Sequence, residues 1–88
     1  KFRATARRNK LLGLWAADQL GLTDDEAQVY AREVIKADLA APGDEDVVRK
    51  VRSDFDAKRV EQSDHQIRSI IDEMMAEAVR QIEAEAKS

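Results

Sequence analysis

His65 is the single histidine of this chain, and it lies beside Asp64 in the run Ser63-Asp64-His65-Gln66. That run starts a helix, so the imidazole is expected on the surface of a first turn. With no cysteine and no second histidine, a transition-metal centre of the usual kind cannot be assembled. Asp24-Asp25-Glu26 and Asp44-Glu45-Asp46 are dense enough in carboxylates to suggest calcium. The calcium-loop spacing needs a glycine six positions in and a glutamate at the twelfth, and neither cluster provides them. Both clusters instead begin predicted helices, where negative charge meets the positive end of the macrodipole. Asp72 and Glu73 are adjacent on a helix, diverge by about 100°, and cannot act as an acid–base pair. Gly13, Gly21 and Gly43 stand alone, so no phosphate-cradling loop is present. These residues predict neither an enzyme nor a cofactor or metal site.

What remains is charge. The first seventeen residues hold five basic side chains, Lys1, Arg3, Arg7, Arg8 and Lys10, and no acidic one. The rest of the chain has ten basic residues against eighteen acidic, a net of −8. A positive arm on an acidic body should seek an acidic surface. Nucleic acid fits poorly, because the whole chain is −3 and only Phe2 and Trp15 are aromatic near the arm. A membrane-surface helix would need a wide apolar face between Phe2 and Lys10, where only Phe2 and small residues occur. A helical adaptor on nucleic acid or lipid is the alternative reading; a protein partner with an acidic groove fits better. Phe2, Arg3, Arg7, Arg8 and Lys10 are the candidate contacts.

The elements that carry the arm are legible from caps and period. A helix from about Phe2 to Leu20 ends at Gly21, which can take the left-handed conformation. Thr23-Asp24-Asp25-Glu26 is a capping box opening a second helix over roughly 24–40, with Ala27, Tyr30, Ala31, Val34, Ile35 and Asp38 on one face. Pro42-Gly43 forces a turn. Asp44 can cap a third helix with the stripe Val47, Val48, Val51 and Phe55, fraying between Lys58 and Glu61. Ser63 and Gln66 form a second capping box ahead of Ile67, Ile70, Ile71, Met74, Met75, Ala78 and Ile82 at i, i+3, i+4, i+7 spacing. Short loops make successive helices antiparallel neighbours. The expectation is an all-α four-helix bundle, a single domain over 1–88, with a long first helix whose basic half projects.

Within that bundle Leu11, Leu12, Trp15, Val34, Ile35, Val51, Phe55, Ile70, Ile71 and Met74 are the expected core. Trp15 should pack against the second and fourth helices. Gly13 inside a helix costs about 1 kcal/mol relative to Ala, so it should mark a close helix approach, opposite Tyr30 or a Met. No apolar run nears the roughly 20 residues that span a bilayer, so no membrane insertion is expected. The chain also opens without Met and with its amphipathic pattern already under way at Phe2, so a natural N-terminus upstream is expected.

The run Phe2-Arg3-Ala4 … Ala6-Arg7-Arg8-Asn9-Lys10-Leu11-Leu12-Gly13-Leu14-Trp15-Ala16-Ala17 is distinctive, as are Ala31 … Val34 with Asp38, Pro42 to Val47, Arg49-Lys50 and Gln66-Ile67-Arg68. Together they resemble the zeta subunit of alphaproteobacterial F-type ATP synthases over essentially all 88 residues. The resemblance implies a four-helix regulatory protein that inhibits ATP hydrolysis by the catalytic head. It implies an inhibitory N-terminal segment, placed upstream of Lys1, that wedges between an alpha and a beta subunit near the rotor. Its partners would be the alpha, beta and rotor subunits, and its location cytoplasmic, peripheral to the inner membrane. The helices here would support that segment, with the basic half of the first helix nearest the enzyme.

Overall fold

The helix ends fall where local hydrogen bonding places them. A computed structural model describes residues 2–39 and 43–87 and contains four helices: α1 (Phe2–Gln19), α2 (Asp24–Asp38), α3 (Glu45–Ala57) and α4 (Asp64–Lys87). Among the described residues there is no strand. Gly21 takes φ +75°, and the Leu22 and Gly21 amides donate back to the carbonyls of Ala17 (3.0 Å) and Asp18 (3.1 Å), closing α1 in a Schellman turn. Thr23 then caps α2: Glu26 Oε1 accepts from the Thr23 amide at 2.9 Å, and the Glu26 amide donates to Thr23 Oγ1 at 3.4 Å. The Thr23 amide and hydroxyl, both donating to Glu26 Oε1, hold the Glu26 carboxyl below its ordinary range. The second capping box forms as well, with Ser63 N–H donating to Gln66 Oε1 at 2.7 Å and Gln66 N–H to Ser63 Oγ at 3.1 Å.

Two helix ends differ from the expectation. Asp44 occupies the position before α3 but makes no side-chain cap, because its carboxylate is taken by Arg8. The end of α3 is a defined turn rather than a frayed segment. Arg59 adopts φ +58°, and the Val60 and Arg59 amides donate to the carbonyls of Phe55 (2.8 Å) and Asp56 (3.2 Å). This is the geometry found at Gly21, made here by a residue with a side chain. α2 stops at Asp38; Ala40 and Pro42 of the expected helix end and turn lie outside the described residues.

α1 makes the most extensive helix contacts, with α2 on one side and α4 on the other, while α3 lies across α2 and α4. The core is Leu12, Ala16 and Ala17 of α1, Tyr30 and Val34 of α2, Val47, Val48, Val51 and Phe55 of α3, and Ile67 and Ile71 of α4. Of the expected core, Leu11, Trp15, Ile35, Ile70 and Met74 are only partly buried. Trp15 meets Phe55 edge-on, ring centroids 5.7 Å apart. That aromatic partner comes from α3, whereas packing against the second and fourth helices was expected. Gly13 does mark a close approach, but its neighbour is Ala31: a Cβ on Gly13 would lie 2.6 Å from Ala31 Cα.

Tyr30, one residue before Ala31, turns about 100° away toward α3. Its hydroxyl donates to Asp54 Oδ2 at 2.7 Å, Lys50 Nζ lies 4.9 Å from its ring centroid, and Lys50 also bridges Asp54 (3.1 Å) and Glu33 (3.3 Å). Burial and the Asp54 carboxylate push the phenol far above its ordinary range. Burial pulls the Lys50 ammonium down, and its bonds to Asp54 and Glu33 more than offset this.

Candidate partner-binding site

The basic residues of α1 were expected to face a partner, and the fold separates them. Arg8 is 4% exposed. Its Nε and Nη2 donate to Asn9 Oδ1 at 3.0 and 2.7 Å, its Nη1 donates to Asp44 Oδ1 at 2.9 Å, and Asp38 Oδ1 lies 3.7 Å from Nη2. Arg8 is therefore no surface contact; it fastens α1 to the end of α2 and the start of α3. Its length and planar fork let one side chain hydrogen-bond Asn9 and Asp44 while its charge faces Asp38. The buried Asn9 owes its satisfied carbonyl to the same guanidinium, and no buried side-chain polar atom of the described residues lacks a partner.

Arg7 points to the opposite side of α1. Nη1 donates to Gln81 Oε1 at 2.8 Å and stands 2.8 Å from Glu85 Oε2 on α4. The bond from Arg7, reinforced by the charges of Arg7 and Arg3, lowers the Glu85 carboxyl below its ordinary range, and the same bond raises Arg7. Arg3 is exposed and reaches Glu85 at 3.7 Å. The basic half of α1 thus does not project. It lies against α4, because a carboxylate and an amide are positioned one turn apart to receive it.

Lys10 is exposed, and Phe2 begins α1 with its side chain outside the described residues, as is Lys1. Asp38, Asp44, Gln81 and Glu85 are the residues sequence reasoning missed. One of them gave a signal: Asp38 is a carboxylate in the apolar stripe of α2, which calls for a buried cation. His65 is exposed at the start of α4, and among the described residues no three potential ligands gather around a metal position. No described helix is long and apolar enough to cross a membrane.

Four helices with an internal charge brace and largely charged outer faces make a small all-α bundle. The family model of ATPase inhibitor subunit zeta matches residues 1–81, and the chain belongs to that family. It is accordingly an ATPase inhibitor, a regulatory protein whose partner is an ATP synthase. A protein solved by solution NMR is similar in sequence and fold, with 48% identity over 96% of this chain and 95% of that one, at a TM-score of 0.85. Comparison with curated proteins gives no significant match.

Proposed function

We propose that this bundle is the rigid support of an inhibitor of ATP hydrolysis by the catalytic head of an F-type ATP synthase, and that the inhibitory element is chain N-terminal to Lys1. In this reading the segment wedges at a catalytic interface between alpha and beta subunits beside the rotor. The protein is then peripheral to the inner membrane on the cytoplasmic side, through the synthase alone. The observation that carries the reading is the two-sided brace on α1. Arg8 ties it to Asp38 and Asp44, and Arg7 ties it to Gln81 and Glu85. A segment continuing from α1 would therefore leave in a fixed direction, and fixing a segment before binding lowers the entropy lost on docking. Arg3 and Lys10 remain as contacts of the arm, with Phe2 at its head, while Arg7 and Arg8 act through the fold.

The test is steady-state ATP hydrolysis by isolated catalytic head. Protein extended with its native upstream residues should inhibit, and the 88-residue chain should inhibit weakly or not at all. Equal inhibition by both would place the active element within the four helices and refute the proposal.

A further inference from the structure

Most arginines of the bundle are paired with carboxylates: Arg49 with Asp46, Arg52 with Asp56 and Asp64, Arg68 with Glu45, Arg80 with Glu77. Lys10 of α1 and Arg32 and Lys36 of α2 are exposed and have no carboxylate within 4 Å among the described residues. Glu33, one turn from Lys36, is engaged by Lys50 instead. Arg32 and Lys36 do not stand alone. Val29, Arg32, Lys36 and Leu39 are spaced three, four and three apart, which makes one stripe along the outer side of α2. Val29 is 51% and Leu39 70% exposed, two of the three large hydrophobic residues most open to solvent among the described residues.

The neighbouring helix extends this stripe into a surface. Gly13 against Ala31 brings α1 and α2 unusually close, so the seam between them is shallow. Near the basic end it forms a notch of about 50 Å³ lined by Ala6, Asn9, Ile35, Asp38 and Leu39 with Thr5. Lys10 follows Ala6 by four and so borders the same seam from the α1 side. The result is a flat apolar strip, Ile35 and Leu39, flanked by three cations that pair with no carboxylate among the described residues.

We infer that this α1–α2 face is the surface by which the bundle docks on the ATP synthase, and that its occupant is an amphipathic helix with an acidic flank. The inference rests on the functional reading above and moves the docking surface from the arginines of the arm to α2. Charge complementarity selects the occupant: cations on one edge of an apolar strip call for carboxylates on one edge of an apolar helix. Leu39 beside the cations disfavours a phosphate backbone, which offers no apolar surface to cover it. A second copy is the other protein candidate, since α4 exposes Asp72, Glu73 and Glu83 around Val79.

Binding of the 88-residue chain to isolated catalytic head, measured by interferometry at two ionic strengths, tests the inference. Arg32→Glu with Lys36→Glu should weaken binding by about tenfold or more and remove its salt dependence, with helicity by circular dichroism unchanged. Leu39→Ser should weaken it without altering the salt dependence. The charge-matched control Lys58→Glu with Lys87→Glu should bind as the parent does. Because the chain has no cysteine, a benzophenone on Gln28→Cys, at the edge of the stripe, should cross-link to an acidic helix of the head, whereas one on Ser69→Cys of α4 should not.

Parent-like binding by the α2 reversal would overturn the inference, and so would a cross-link from residue 28 to a second copy or to nucleic acid. Inhibition by the extended protein is read separately. Intact inhibition with α2 variants that bind normally removes this face alone, whereas loss of both binding and inhibition in the parent removes the functional reading together with it.

Discussion

Replacing Gly13 by Ala sets two effects of opposite sign against each other. In an isolated helix the change gains about 1 kcal/mol of propensity. Here the new Cβ would stand 2.6 Å from Ala31 Cα and 3.0 Å from Ala31 Cβ, where carbon atoms prefer about 3.5–4.0 Å. The nearest obstacle is backbone, which has no rotamer to give way, so α1 and α2 must part by about 1 Å. Overpacking of this kind costs about 1–3 kcal/mol, and the backbone clash places Gly13→Ala at the upper end, for a net loss of about 2 kcal/mol. Urea unfolding followed by circular dichroism and by Trp15 fluorescence should show it. With a slope near 1 kcal/mol per molar urea, the midpoint should fall by about 2 M. Ala31→Gly should not rescue the variant, because it removes the 3.0 Å contact and leaves the 2.6 Å one. A Gly13→Ala protein as stable as the parent would refute the reasoning and mean that the two helices are farther apart than described.

Other outcomes follow from the same contacts. Arg8→Ala should cost about 2–3 kcal/mol, less than the 3–5 of a fully buried pair because Asp44 is 44% exposed; Arg8→Lys should recover little, since an ammonium cannot span Asn9 and Asp44 together. Loss of ATPase binding with unchanged stability in Arg8→Ala would contradict its place in the fold. Tyr30 is the only tyrosine, so phenolate absorbance reads it alone. Its folded pKa is raised, so its contribution is complete below the unfolded value of about 10 and is lost as pH climbs above it. The phenol should ionise only together with alkaline unfolding, and Tyr30→Phe should flatten stability above pH 10; a titration near 10 with the helices intact would show that the phenol is neither buried nor bonded to Asp54. Arg59→Gly should gain about 0.5–1 kcal/mol by relieving the left-handed φ of +58°, visible as a higher melting temperature.

The features readable from sequence are those decided within one or two helical turns. Thr23 with Glu26, Ser63 with Gln66, and Gly21 needed only neighbours three or four residues away, and the apolar stripe of α3 is buried as its spacing demands. What could not be read depends on which helix stands opposite which. Asp44 looked like a cap until Arg8, 36 residues earlier, claimed its carboxylate. Gly13 signalled close packing without identifying Ala31, and Trp15 signalled a core ring without identifying Phe55. The bracing by Arg7 and Arg8 was hidden for a similar reason. A run of positive charge on one helix is a binding face or a brace according to what the distant end of the chain brings to it, and here Gln81 and Glu85 arrive from 74 to 78 residues away.

The Arg3 and Arg7 contacts with Glu85 have a topological consequence. They place the start of α1 beside the end of α4, so the two extremities of the described chain emerge at the same end of the bundle. A short flexible link between residues 87 and 2 would close the polypeptide into a ring without crossing any helix. The turn from Lys58 to Glu61, exposed except at Val60, could then be opened after Glu61 to make new ends. In such a permutant α4 and α1 become a local hairpin, and the longest chain closure in the fold becomes one of the shortest. The order of the helices along the backbone would change while the packing of α1 between α2 and α4 would not.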